Sequence, residues 1–325
     1  MNWRRLHVFF VATALMQQAC APELIKVGQR VGQTSITDTH ILVADGSRLP
    51  LRVWEPEGNP KAIILALHGF NDYSKAFEIP GTYFSRQNII TYAYDQRGFG
   101  ANKNAGNWPG AEELVKDMAD VTQAIKKMHP TLPLYILGES MGGAVTMTAL
   151  SRNPMNVEGI VLVAPAVWGR HTMNPLYSLL LTAAAHIIPW AKFSGQGLRI
   201  QPSDNHEMLL ELGKDPLIIK ATRVDAMYGI VNLMDAALVS APTLEVPSLI
   251  LYGSKDQIIP KSATWKMLAN LGGSFRVVIY PNGYNMLLRD IGGPVVLRDI
   301  SAWIINRETK LPSRPNPNWR SFFSE

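Results

Sequence analysis

Leu134-Tyr135-Ile136-Leu137-Gly138-Glu139-Ser140-Met141-Gly142-Gly143 is an apolar run that breaks into G-x-S-x-G and opens into an alanine-rich stretch. The pattern reads as a strand, a sharp turn and a helix. Glycines two before and two after the serine remove side chains that would collide in so tight a bend. The turn lifts the Ser140 hydroxyl above the end of the strand. The helix N-terminus behind it, with Met141 at its first position, supplies backbone N–H groups for a developing oxyanion.

Working outward, Ala62–Leu67, Ile89–Tyr94, Ile160–Val163, Ser248–Tyr252 and Val277–Tyr280 are further short apolar runs. Runs apolar on both faces imply strands covered by helices on both sides, hence a mainly parallel sheet. Glu112–Met128, Met141–Arg152, Ser262–Leu271 and Val295–Ile305 carry the helical period between them. His40–Ala44 and Arg48–Trp54 flank Asp45-Gly46, a hairpin signal, so the sheet starts antiparallel. The fold class expected is α/β. The body spans 36–165 and 242–310, and 166–241 is an all-helical cap, with helices over Pro175–Ile188 and Asp215–Leu238. The tail 311–325, which contains three prolines, is expected to lie extended on the surface.

Two other stretches fit the serine turn. Leu65-Ala66-Leu67-His68-Gly69-Phe70 ends a strand where this architecture finds its other oxyanion donor, here the Phe70 N–H, with His68 orienting the loop. Leu249-Ile250-Leu251-Tyr252-Gly253-Ser254-Lys255-Asp256 ends a strand after the cap. Asp256 therefore follows the nucleophile in the chain order expected of a triad acid.

Together with Asp95-Gln96-Arg97-Gly98-Phe99-Gly100, these motifs resemble the monoacylglycerol lipase and lysophospholipase-like branch of the α/β-hydrolase family, over about Thr39–Arg307. The resemblance implies a serine ester hydrolase acting on lipid-like esters, of the monoacylglycerol or lysophospholipid class, through an acyl-enzyme on Ser140. It implies no cofactor, and it makes Asp95 and Arg97 loop braces rather than catalysts. It also requires a histidine just after the last strand. That stretch reads Tyr280-Pro281-Asn282-Gly283-Tyr284-Asn285-Met286-Leu287, with Asn285 at the position of the base. An amide can hold a hydrogen bond but cannot accept a proton near neutral pH, so Ser140 lacks activation.

The seven histidines offer no evident replacement. None follows His206, and His171, His186 and His206 lie in cap sequence. The chain is therefore an inactivated hydrolase or a lipid-binding protein derived from one. A related aminopeptidase is a third reading, and it needs an acidic clamp for which Glu207, Glu211 and Asp215 are available. Within the cap, Leu176–Trp190 is apolar, and Tyr177, Leu180 and Leu181 are the residues expected to meet an acyl chain.

At the start of the chain, Met1–Arg5 carries two arginines, Leu6–Met16 is almost wholly apolar, and Ala19-Cys20-Ala21 follows. That order is an export signal over 1–21. Ala19-x-Ala21 suits an ordinary signal peptidase, Ala19-Cys20 resembles a lipoprotein signal, and an uncleaved anchor is a third alternative. Each puts the protein in the periplasm, on the envelope or at a membrane surface. The 325 residues are 47% hydrophobic and 18% charged, which excludes a disordered chain, and one cysteine excludes a disulfide framework or a multi-cysteine metal site. A net charge of +5, spread along the chain, gives no support for nucleic acid as a partner.

Overall fold

A computed structural model describes residues 22–195, 197 and 200–324; the export-signal reading of 1–21 lies outside them. The main sheet has nine strands: β1 Ser35–Ile36, β2 His40–Leu42, β3 Arg48–Trp54, β4 Ala62–Leu67, β5 Ile89–Tyr94, β6 Leu134–Glu139, β7 Gly159–Val163, β10 Ser248–Gly253 and β11 Phe275–Tyr280. Their order is β1-β2-β3-β5-β4-β6-β7-β10-β11. The first three strands pair antiparallel, β3 joins β5 antiparallel, and every later pairing is parallel. The Asp45-Gly46 hairpin forms as its sequence predicts, with Gly46 at φ 81.

The apolar runs are apolar on both faces because both faces are covered. Along β4, Ile63, Leu65 and Leu67 point into one core and Ala62, Ile64 and Ala66 into the other. The first core receives α2 (Ala111–Met128), α3 (Met141–Arg152) and α6 (Val224–Ser240). The second receives α1 (Glu78–Ser85) and α8 (Gly293–Ile305). Each large aliphatic side chain taken out of water contributes roughly 1.5–3 kcal/mol, so the two cores are the main stabilising term. Helix α1 was not legible in the sequence. Its Pro80 sits in the first turn, where no N–H is needed, and its Gly81 packs so closely on Trp54 that a Cβ would lie 2.3 Å from that ring.

Three expectations are corrected. The insertion between β7 and β10 is not all helical: β8 (Lys192–Ser194) and β9 (Ala221–Arg223) form a two-stranded antiparallel ribbon beside α4 (Pro175–Ile187) and α5 (His206–Lys214). Nor does one helix run from Asp215. Residues 215–220 are loop, then β9, and α6 starts at Val224. The tail is not extended throughout, because after α7 (Lys261–Ala269) and α8 the chain ends in α9 (Trp319–Ser324). Phe323 is buried there against Tyr252 and Trp265, and this long-range aromatic packing outweighs the local proline signal.

Candidate active site

The turn from β6 to α3 holds Ser140 at φ 50 and ψ −111, a conformation an L-residue adopts only when its surroundings impose it. Those surroundings are hydrogen bonds. The Ser140 N–H donates to Val163 O at 2.9 Å, and its carbonyl accepts from Gly143 N at 3.0 Å and Ala166 N at 2.9 Å. Gly142 lies so close to the end of β4 that a Cβ would fall 2.1 Å from Leu67 O. The loop after β4 passes directly over the serine, since a Cβ on Gly69 would reach to 3.5 Å from Ser140 Cβ. Neither the Phe70 N–H, next to Gly69, nor the Met141 N–H, next to Ser140, donates to a described residue.

His68 is fully buried and fixes this loop. Its Nε2 accepts from Gln96 N at 2.9 Å, so the proton is on Nδ1, which donates to Gly69 O at 2.8 Å. Burial pushes the His68 imidazole pKa down, which favours this neutral form. The loop is also tied to the cap: Asn71 Nδ2 donates to Thr222 Oγ1 at 2.6 Å, and the Tyr73 hydroxyl to Asp215 Oδ2 at 2.7 Å. Asp95 and Arg97 act as braces. Asp95 accepts from Ser74 N and Ala101 N, and Arg97 clamps Asp117 and Asp45.

The loops after β10 and β11 lie side by side, joined by Lys255 N–H to Gly283 O at 2.9 Å. Asp256 Oδ1 accepts from the N–H groups of Ile258 and Ile259, and its Oδ2 accepts from Asn285 Nδ2 at 2.9 Å. Burial nonetheless pushes the Asp256 carboxyl up from the usual range. Asn285 is itself buried and has no hydrogen bond to Ser140. The Asn285 loop is held from the cap side, where Met286 N–H donates to Pro202 O, Asn205 Nδ2 to Arg289 O, and Ser203 Oγ to Asp290 Oδ1 at 2.6 Å.

A charged cluster lies beside these loops that the sequence reasoning missed. Arg289 Nη2 meets Asp72 Oδ2 at 2.6 Å and Glu139 Oε2 at 3.3 Å, all three side chains being buried. It links the loop after β4, the residue preceding Ser140 and the loop carrying Asn285. Glu139 Oε1 and Arg289 Nε have no partner among the described residues, and burial pushes the Glu139 carboxyl up to about 7. The only sequence signal was the charged residue inside an otherwise apolar G-x-S-x-G turn.

The other candidates are less engaged. His171, His186 and His206 are exposed, and no described histidine bonds to Ser140. Tyr177 and Leu180 are exposed and Leu181 is half-buried on α4, which fully buries only Ala185. Asp215 is occupied by Tyr73 and Lys75, Glu211 pairs with Lys214, and Glu207 is exposed. Among the described residues no group of three or more His, Cys, Asp or Glu is placed to hold a metal ion. Two N–H groups without a described acceptor therefore adjoin the Ser140 turn, and among the described residues no histidine is hydrogen-bonded to Ser140.

A family model described as "Serine aminopeptidase, S33" matches residues 58–292. Among curated proteins, the monoglyceride lipase of Rattus norvegicus is 25% identical over 278 residues, covering 82% of this chain and 90% of its own. The monoacylglycerol lipase of Mycolicibacterium smegmatis is 23% identical, covering 80% of this chain and 94% of its own. Among solved structures, a soluble variant of monoglyceride lipase from Saccharomyces cerevisiae superposes with a TM-score of 0.69 at 17% identity, covering 91% of this chain and 99% of its own.

Proposed function

The chain belongs to the serine aminopeptidase S33 family of α/β-hydrolases, and from that premise we propose that it is a lipid-ester hydrolase scaffold arrested before its first chemical step. Ser140 is the nucleophile, Asp256 the acid, the Phe70 and Met141 N–H groups the oxyanion hole, and Asn285 stands at the site of the base. The observation that carries this reading is the 2.9 Å bond from Asn285 to Asp256. The carboxylate keeps a partner, but that partner is an amide.

In a working site, attack of Ser140 Oγ on the ester carbonyl forms a C–O bond and sends the serine proton to an imidazole. That group later protonates the departing alkoxide. Here the attack has no proton acceptor, so the tetrahedral intermediate does not accumulate and the ester stays intact. The substrate class, a monoacylglycerol or lysophospholipid with a medium or long acyl chain, follows the family resemblance and is supported by relatives named as monoglyceride lipases and by the apolar cap helix. In this reading the chain works outside the cytoplasm, in the periplasm or on the envelope.

The test is made with a long-chain monoacylglycerol. The unmodified protein should leave it intact, and Asn285→His should release fatty acid in a manner abolished by Ser140→Ala. Fatty-acid release by the unmodified protein at a rate like that of Asn285→His, or none from a folded Asn285→His variant, would sink the proposal. The intact Ser140 turn and the satisfied Asp256 also favour a second reading, a non-catalytic lipid-binding protein. Stoichiometric retention of an acyl ligand through purification supports it, and an Asn285→His variant that rapidly turns over with no ligand ever retained argues against it.

A further inference from the structure

A second concavity, of about 210 Å³, lies where the loop after β11 meets the cap segment before α5 and the first turn of α8. Tyr280, Leu287, Val295 and Val296 give it apolar walls, and Asp204 and Asp290 are its charged lining. Tyr280, Leu287 and Val296 are buried, so the core behind them fixes the walls. Asn282 and Gly292, which also line it, are exposed, so solvent reaches it. Ser140, Asp256 and Asn285 do not line it, which sets it apart from the candidate active site. A cavity of about 150 Å³ lined by aliphatic and aromatic groups holds a benzene molecule, so this volume suits a body of about eight to ten non-hydrogen atoms.

The two carboxylates set the charge of that body. Asp290 Oδ1 accepts from Ser203 Oγ at 2.6 Å and its Oδ2 from Tyr284 N–H at 2.7 Å, while Asp204 Oδ1 accepts from Ile291 N–H at 2.8 Å. Each of those donors is neutral. Asp204 Oδ2 accepts from no described residue. Arg289, the adjoining cation, is committed to Asp72 and Glu139 instead. Burial pushes the Asp290 carboxyl up, and the Asp204 charge acts in the same direction. The N-terminus of α8 sets only about half a unit of positive charge against the two carboxylates. Apolar walls beside unmatched negative charge complement a small molecule with an apolar body and a cationic end.

We propose that this pocket binds a small organic ammonium, with its apolar body against Tyr280, Leu287 and Val295 and an N–H donated to Asp204 Oδ2. The site also bears on the loop that carries Asn285. Its walls belong to two segments, 280–292 and the cap segment ending at Asn205, which are already joined through Met286 N–H to Pro202 O and Ser203 Oγ to Asp290. A ligand seated between them adds contacts to both, and binding stabilises the conformation that is bound. Occupancy therefore braces the Asn285 loop from behind. The proposal goes beyond the hydrolase reading and needs no chemistry at Ser140.

The experiment titrates the full chain by calorimetry with phenethylamine, which is protonated at neutral pH, and with two analogues of similar shape, neutral phenethyl alcohol and anionic hydrocinnamate. The amine should bind at one site per chain, about tenfold or more tighter than the alcohol, and hydrocinnamate should not bind. Asp204→Asn keeps an acceptor for Ile291 N–H but removes the charge, so it should weaken the amine about tenfold and leave the alcohol unchanged. Val295→Trp, which enlarges a half-buried lining residue, should abolish binding of both. Amide hydrogen exchange across Tyr284–Asp290 should slow when the amine is bound. No saturable binding at about 10 mM amine, equal affinity for amine and alcohol, or unchanged amine binding in Asp204→Asn overturns the proposal. Bound amine that leaves the exchange of that loop unchanged overturns its coupling to Asn285. None of these readouts uses turnover, so failure here leaves the hydrolase reading standing, and an inactive Asn285→His variant leaves this site standing.

Discussion

Asn285 donates from Nδ2 to Asp256 Oδ2 at 2.9 Å, so the carboxylate of the loop after β10 holds the amide of the loop after β11. The contact keeps a partly buried carboxylate partnered and ties the loop carrying Asn285 to the loop carrying Asp256. In the proposed reading, the elbow, the Phe70 and Met141 N–H groups and Asp256 serve a serine that lacks a proton acceptor.

Glu139 makes the stability depend on pH. Its folded-state pKa of about 7 lies above the usual value of 4.5, so between those limits the folded chain holds a proton that the unfolded chain has lost. Stability should therefore fall as pH rises from about 4.5 to about 7, by on the order of 3 kcal/mol from this group. Glu139→Gln, which cannot ionise, should remove that part of the slope in urea unfolding. Parallel profiles for parent and variant would contradict the assignment.

The elbow should not tolerate a methyl group. Gly142→Ala places a Cβ 2.1 Å from Leu67 O, which requires backbone movement and should cost on the order of 1–3 kcal/mol or more. Gly213→Ala is the control, because nothing lies within 4 Å of its Cβ position in α5. It should hold or gain stability by about 0.5–1 kcal/mol. Thermal unfolding of the two variants reads the difference.

The terminal helix should contribute to the fold. Phe323 is buried against Tyr252 and Trp265, so Phe323→Ala should cost about 3 kcal/mol in urea unfolding. A tail lying extended on the surface would give a change near zero.

The body was legible in the sequence because its signals are local. The strand limits of β4 and β5 and both ends of α3 agree with the apolar runs and the G-x-S-x-G turn that predict them. Asn285 stood out in the sequence because the family resemblance asks for a histidine there, and the structure places its amide against Asp256. The cap ribbon was not: β8 and β9 are three residues each, β8 is wholly exposed, and they pair across 26 intervening positions, so no alternation marks them. The Asp72–Glu139–Arg289 cluster was hidden for a related reason. Its members are far apart in the chain, and burial turns ordinary charged residues into a coupled group. Tyr177 and Leu180 were correctly read as apolar helix, but amphipathic pattern alone does not say whether such a face meets a core or remains exposed, as it does here.

The most direct measurement of the central claim is kcat/KM for a p-nitrophenyl acyl ester in the parent, Asn285→His and Asn285→His with Ser140→Ala. Restoring an acceptor for the serine proton should raise the rate by on the order of 10⁴-fold, and removal of Ser140 should abolish the gain. An Asn285→His variant that folds as the parent does, yet shows no Ser140-dependent increase, would contradict the account.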